Sequence, residues 1–521
     1  MIEFPLSKNG ELTAKYSGVF LHSSYSPLRE AESLYCNENL ARYRTLILLE
    51  PCLNYIAKVV KSNKPETKII SIYTRGVFAG KDDSKSDFIW YAGSDESLKS
   101  FLDRTMNELD LELLKLVEWP PSARLFSETL GGYKKTITQH LRELHGNITT
   151  SSGFGRRLIR NFIKNYVLSE SIAIPEHTAS AVFIAGSGPG LKSSISFLKK
   201  KRSELILISL PSSIEFLLSF GIIPDIAVTT DPGFYAGLHQ RSLTNCLTAS
   251  PYTANISPVI QNNKLLIPIN QHSFIESAIL DSGDAFINIP SNGTVAGTAL
   301  FLASTLTSGP VILSGLDFSF IDILSHNRPH SFDSHIEQFT SRTNGLYNIY
   351  YHRNIPDSFK VNSNSRRTTT ALKTYRGWFE RSSGIFSNRC FFLNHFERPP
   401  GDFPGITEEE AGQLLTGRTK FSFGIYNNTS LDERRNKISS FLRKQIESVN
   451  TAENSIKNIA TDFEKIIEIL YTSIAGKIFL PDLLEMKRIS FTENSKLFIS
   501  KAVSLTERTR SFLDYLGRYA E

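Results

Sequence analysis

At 521 residues, with 40% apolar and 21% charged residues, the chain is too long for one hydrophobic core and predicts about two to four folded domains. Lys and Arg exceed Asp and Glu by 58 to 52, a net charge of +6. That is too dilute to mark a nucleic-acid binder and is compatible with an anionic substrate.

The N-terminal segment, M-I-E-F-P-L-S-K-N-G, lacks the charged and apolar regions of a signal peptide. No apolar run approaches the roughly 18 residues of a membrane span. Cys36, Cys52, Cys246 and Cys390 have no C-x-x-C spacing, so neither a zinc frame nor a disulfide frame is expected, and the predicted setting is reduced and cytoplasmic.

Residues 1–150 predict a smaller N-terminal α/β domain. The runs K-I-I-S-I-Y at 68–73 and D-F-I-W-Y-A at 87–92 read as strands. Residues 53–60 read as a helix, 97–109 as a helix and 111–117 as a strand. Pro120-Pro121 breaks the pattern. Residues 127–144 form an amphipathic helix and 156–167 a second one. His22, Ser24 and Glu30 could belong to a site but read better as surface polar residues.

Residues 151–425 alternate strands with helices, the pattern of a doubly wound, Rossmann-like parallel sheet. Predicted strands lie at 181–185, 205–209, 226–230, 265–269, 286–289 and 310–314. Predicted helices lie at 191–199, 212–220, 273–280 and 294–306. Ligands of such sheets bind beyond the carboxyl ends of the strands, and four ends stand out. The first is G-S-G-P-G, residues Gly186, Ser187, Gly188, Pro189 and Gly190. It is either a phosphate loop at a helix N-terminus or a tight turn that needs glycine for its backbone angles. The second is S-L-P-S-S at 209–213. The third places Asp225 before a strand and Asp231 after it. The fourth is S-N-G-T, residues Ser291, Asn292, Gly293 and Thr294, opening a helix and followed by a strand that leads to Asp317. Singly, such Asp and Ser residues read as helix caps; together they read as a site.

After Asp317 the chain is polar and irregular to residue 364, with His326, His330, His335 and His352. A loop of this length suits a lid. The histidines lack metal-cage spacing, but one of them suits a general base. Residues 366–380 read as a helix carrying Arg366, Arg367 and Arg376, either a carboxylate or phosphate clamp or a solvated face. Residues 426–521 predict a C-terminal helical bundle. Leu442, Val449, Ile456, Phe463 and Leu470 repeat every seven residues, and Ala452, Ile459 and Ile466 form a second series. An intramolecular seam is expected there.

Four blocks, G-S-G-P-G-L, G-I-I-P-D-I-A-V-T-T-D, G-T-V-A-G-T-A-L-F-L-A and P-V-I-L-S-G-L-D-F-S-F, followed by a histidine, resemble the motility-associated factor (Maf) flagellin glycosyltransferases. L-H-S-S-Y-S-P-L-R-E-A-E at 21–32 is similar to the N-terminal region of that family. The resemblance implies a sialyltransferase-like central fold and a cytoplasmic enzyme. Its donor would be a CMP-activated nonulosonic acid, of pseudaminic or legionaminic type, and its acceptor Ser or Thr of flagellin. By that likeness Gly186, Ser187, Gly188 and Pro189 belong to the first block. Ser291, Asn292, Gly293 and Thr294 face the donor phosphate. Asp231 and Asp317 are the acidic positions. His326 follows the last block most closely and is the expected base, with His352, Arg366 and Arg367 as competitors. No D-x-D occurs within 170–420, so neither an obligatory metal nor a cofactor beyond the CMP-sugar donor is expected. Two departures stand: Gly190 replaces a serine, and L-L-E-P-C-L-N-Y at 48–55 lacks a glycine-rich turn. The rival readings are a pterin pyrophosphokinase of the same domain family, using ATP, and a non-catalytic flagellin-binding chaperone or scaffold.

Overall fold

The computed structural model describes residues 2–79, 85–242, 246–256, 265–361, 366–393, 398–419, 421–457, 463–490 and 494–519. The chain divides into two units, Met1–Gly155 with Gln445–Ser511, and Arg156–Lys444 with Phe512–Glu521. The C-terminal helical stretch is thus apportioned between them.

In the first unit a parallel sheet runs in the order Phe88–Tyr91, Lys68–Tyr73, Thr45–Leu49, Leu114–Glu118. The Thr45–Leu49 strand, T-L-I-L-L, is wholly buried. A strand covered on both faces shows no alternation, so the period-two pattern does not reveal it. Beyond it, Glu50, Cys52 and Asn54 have φ of 49°, 55° and 55°. The segment takes the alternating left-handed backbone of a glycine-rich turn without its glycines, a strained arrangement.

Three sequence expectations for residues 1–168 are corrected. Pro120 opens the helix Pro120–Leu125 instead of ending regular structure, because a first-turn proline forfeits no helical hydrogen bond. Residues 127–144 and 156–167 belong to one helix, Ser127–Leu168. Its Gly155 admits a neighbouring backbone, for a Cβ there would lie 2.1 Å from the Lys477 carbonyl oxygen. His22 is buried rather than superficial: its Nε2 accepts the Leu53 N–H at 3.0 Å and its ring lies 4.9 Å from that of Trp119. Glu30 accepts the Ser23 N–H at 2.7 Å.

The seven-residue seam closes within the chain. Val449, Ala452, Ile456, Ile466 and Leu470 are buried, Phe463 stacks on Phe498 at 4.2 Å, and Arg510 pairs with Glu453 at 2.9 Å. Ile459 lies outside the described residues.

The second unit is built on a large sheet, in the order Gly405–Ile406, Cys390–Leu393, Val311–Ser314, Ala181–Ala185, Leu205–Ser209, Ile226–Val228, Leu247–Ser250, Leu266–Asn270, Ser171–Pro175, Phe423–Asn427, with Ile287–Asn288 also against Leu266–Asn270. Among the described strands of this sheet only Phe423–Asn427 pairs antiparallel. The chain moves outward from Ala181–Ala185 strand by strand, then returns to its other side at Val311–Ser314. The crevice between those two strands is therefore a topological switch point, where ligands of such sheets bind.

The helix Val295–Leu306 lies on this sheet, burying Ala299, Leu300, Leu302 and Ala303 in one core with Val182, Ile184 and Val228. Just past its end, Thr307 Oγ1 donates to the Ser180 carbonyl at 2.6 Å, at the start of the Ala181 strand. Its N-terminus accordingly lies toward the carboxyl ends of the strands.

The expected helix at 191–199 is two short ones, Gly190–Ser193 and Ile195–Lys201. The expected helix at 366–380 begins as a strand, Arg366–Thr369, and turns helical at Thr370–Phe386 once Thr369 caps it. Among the described residues no helix is long and apolar enough to cross a membrane.

Candidate functional site

The glycine loop sits at the switch point, but its N–H groups face inward. Gly186 N–H donates to the Ser314 carbonyl at 2.8 Å and Gly188 N–H to that of Gly315 at 2.8 Å. Gly190 N–H donates to Asp317 Oδ2 at 2.9 Å. These donors are spent on the neighbouring strand end, so the open phosphate cradle suggested by the sequence is not formed by the glycines. Close approach is what demands them: a Cβ on Gly186 would lie 2.4 Å from the Gly315 oxygen, and one on Gly188 would lie 2.4 Å from Asp317 Oδ2. Ser187, between them, donates to Ser212 Oγ at 2.8 Å, and Ser213 Oγ donates to the Ala185 carbonyl at 2.8 Å. The 209–213 segment thereby braces the loop from the Leu205 strand.

The polar segment after Asp317 folds back onto the same loop. Asn327 donates its N–H to the Ser187 carbonyl at 2.9 Å and its Nδ2 to that of Gly188 at 2.7 Å. Beside Asn327, His326 is exposed, with its Nδ1 3.0 Å from Ser325 Oγ. Its ring lies 4.9 Å from His330, whose ring is 5.2 Å from His239. Phe332 packs on both inner histidines, at 4.7 and 4.6 Å. Asp333 ties the segment together: its Oδ2 accepts the His330 N–H at 3.0 Å and Arg328 Nε at 2.9 Å, and its Oδ1 accepts the Tyr350 hydroxyl.

All three histidines are kept neutral. Desolvation comes first in each case. Together with Arg353 it lowers His326, although that side chain is exposed. His239 is lowered to about 4 with the help of His326. His330 is lowered to about 2 by burial and then by His326, His239, Arg353 and Arg328. Neutral imidazoles beside arginines offer a base, hydrogen-bond donors and a positive field to an entering anion.

The other expected residues are placed as follows. Asp231 is exposed, and its Oδ1 accepts the Gly233 N–H at 2.6 Å. That turn leads into the helix Phe234–Leu238, whose Tyr235 ring is 5.5 Å from both Phe332 and His335. Asp231 is thus engaged as a turn residue ahead of the helix whose Tyr235 meets the histidine segment. Asp317 is buried, and its Oδ2 holds the loop through the Gly190 N–H.

At the second helix N-terminus, Asn292 Oδ1 accepts the Thr294 N–H at 3.2 Å, while its Nδ2 donates to the Pro290 carbonyl at 3.1 Å and to Thr298 Oγ1 at 3.3 Å. Gly293 has φ of 72°, and Ser291 is exposed. Thr294 is the N-cap, yet its side chain makes no capping bond. A 12-residue helix whose N-cap side chain makes no capping bond leaves its positive dipole end able to accept an anion.

His352 lies on the exposed face of Leu346–Asn354 against Tyr351. Arg367 is committed to Ser358, at 2.6 Å from Nε to Oγ, and Arg366 is buried in the same strand. Asn327, His239 and Asp333 were not singled out from the sequence. Among the described residues no group of His, Cys, Asp and Glu is arranged to hold a metal ion.

The family model of MptE-like 6-hydroxymethylpterin diphosphokinase matches residues 156–322, spanning the loop and the second helix N-terminus. Two uncharacterized proteins of Treponema pallidum (strain Nichols) are similar. One is 27% identical over 326 residues, covering 61% of this chain and 68% of its own length. The other is 24% identical over 207 residues, covering 37% of this chain and 36% of its own. The structure of the MAf glycosyltransferase from Magnetospirillum magneticum AMB-1 aligns over 99% of this chain and 92% of its own, with a TM-score of 0.67 and 12% identity. The chain therefore has, over nearly its whole length, the α/β fold of a Maf glycosyltransferase.

Proposed function

We propose that this chain is a glycosyltransferase that moves a nonulosonic acid, of pseudaminic or legionaminic type, from its CMP-activated form to Ser or Thr of flagellin in the cytoplasm. The observation that carries the reading is the uncapped start of Val295–Leu306 on the same carboxyl side of the sheet as the switch point, where Asn327 pins the histidine segment to the glycine loop. A nucleotide-linked sugar has a phosphate for the helix start and a reacting carbon for the histidine side. The bond between the anomeric carbon and the phosphate oxygen breaks, and its electron pair leaves with CMP. The acceptor oxygen bonds the same carbon, and its proton passes to a base, for which His326 is the exposed choice. The helix dipole stabilises the departing phosphate charge. No metal is assigned a role, and turnover is expected to survive EDTA.

The match over 156–322 favours a second reading, diphosphate transfer from ATP to a hydroxymethylpterin. Intact-mass analysis decides. Flagellin made with this chain and a CMP-sugar supply should gain whole nonulosonic-acid increments absent without the chain. Unchanged flagellin together with pterin diphosphate formed from ATP establishes the second reading. Unchanged flagellin with neither product leaves a chaperone or scaffold.

A further inference from the structure

We propose that His330, beneath His326, is a catalytic residue whose Nε2–H donates a hydrogen bond to an anionic oxygen of the donor substrate. This rests on the transferase reading of the same cleft. His330 is 7% exposed. Its Nδ1 accepts the Phe332 N–H at 3.3 Å, which puts the ring proton on Nε2. That Nε2 is enclosed and has no hydrogen-bond partner among the described residues. A buried donor left unmade costs about 1–3 kcal/mol, and here it is held in place rather than avoided. Asp333 fixes the backbone N–H, and Phe332 and His239 flank the ring.

The charged and titratable groups around the ring are His326 and Arg328 of its own segment, His239 after the Phe234–Leu238 helix, and Arg353 of the Leu346–Asn354 helix. The nearest carboxylate, Asp333, is occupied by Arg328, Tyr350 and the backbone. The ring is thus a neutral donor in a positive surround, suited to an oxyanion and not to a cation. For a ligand oxygen to reach Nε2, the exposed His326 ring, 4.9 Å away, has to turn aside. CMP offers a phosphate oxygen and a nonulosonic acid a carboxylate oxygen, and the two are separable by probe.

Titration calorimetry on the full chain, with thermal melts, tests the assignment using CMP, N-acetylneuraminic acid and ATP. The variants are His330→Phe, His330→Asn and His330→Gln. The Gln amide reaches the Nε2 position and the Asn amide does not. Phe and Asn are expected to weaken the bound anion about tenfold or more, as loss of a charge-assisted hydrogen bond does, with Gln closer to wild type and melting little changed. If Phe does not fold, the contrast between Gln and Asn carries the same test. A loss confined to CMP assigns the phosphate, and a loss confined to N-acetylneuraminic acid assigns the carboxylate. Wild-type affinity in Phe or Asn, or equal loss in Gln and Asn, overturns the proposal. Should wild type bind ATP and not CMP or the sugar acid, the transferase reading fails while His330 is judged by the same contrast on ATP. Binding of none of the three overturns both.

Discussion

Asp317 and Gly190 are joined across the switch point: the buried carboxylate at the end of one strand accepts, at 2.9 Å, the N–H that starts the short helix after the next. The bond fixes the glycine loop that Asn327 also holds, so Asp317 is expected to act on the cleft through the loop. Asp317→Asn retains an acceptor for Gly190 and should keep stability, and activity should fall only a few-fold. Asp317→Ala leaves the Gly190 N–H buried and unmet, a loss of about 1–3 kcal/mol. Urea unfolding and turnover of both variants check this; an Asn variant that melts normally but is inactive would return Asp317 to direct chemistry.

Thr294 and Asn292 separate ligand binding from folding at the second helix N-terminus. The Thr294 side chain makes no capping bond, so Thr294→Ala should weaken CMP binding with little change in melting. Asn292 makes three hydrogen bonds within its turn, so Asn292→Ala should lower both, with about 1 kcal/mol of stability lost. Calorimetry with CMP beside thermal melts reads the two effects. Unaltered CMP affinity in Thr294→Ala removes that hydroxyl from the donor site.

Much of the central sheet was legible because its strand–turn–helix alternation is local. The two glycine-bearing ends of 186–190 and 291–294 were equally visible as motifs. Their division of labour was not. Whether Gly186 and Gly188 offer their N–H groups to a ligand or to Ser314 and Gly315 depends on which strand lies alongside, and that strand comes more than 100 residues later. The two helices expected at 127–144 and 156–167 are one, and Gly155 within it meets the Lys477 carbonyl, a contact that sequence spacing does not announce. The strand Thr45–Leu49 was hidden by being buried on both faces. His330 and Asp333 stood in a polar stretch with no periodicity, and only folding brings His239 to them. A clue lay in Asp333 following His330 by three residues, a spacing at which a carboxylate accepts a backbone N–H.

His326 and His352 were both candidates for the base, and the structure separates them. His326 adjoins Asn327, which is bonded to the glycine loop, whereas His352 stands on the exposed face of a helix. His326→Ala should lower kcat by about 10²–10⁴-fold, the range for loss of a general base, and leave CMP affinity within a few-fold. His352→Ala should turn over like wild type. Initial rates at saturating donor make the comparison. Normal kcat in His326→Ala would discard that base and leave Asp231 as the next to test.

His22 supplies a pH dependence in the other unit. Burial lowers its pKa from 6.5 to about 3, so the folded chain holds it neutral while the unfolded chain protonates it near its ordinary value. Between those values the unfolded state binds more protons, and stability falls as pH falls. The contribution is complete above about pH 6.5 and is lost progressively toward pH 3, on the order of a few kcal/mol in all. Glu50, pushed up by burial, works with the opposite sign, so the difference between variants carries the test rather than the absolute curve. His22→Gln keeps an acceptor for the Leu53 N–H and removes the titration. In urea unfolding at pH 7 and pH 5, the variant should lose less stability on acidification than wild type. Equal losses would mean that His22 is already protonated in the fold or open to solvent, contrary to its place between Leu53 and Trp119.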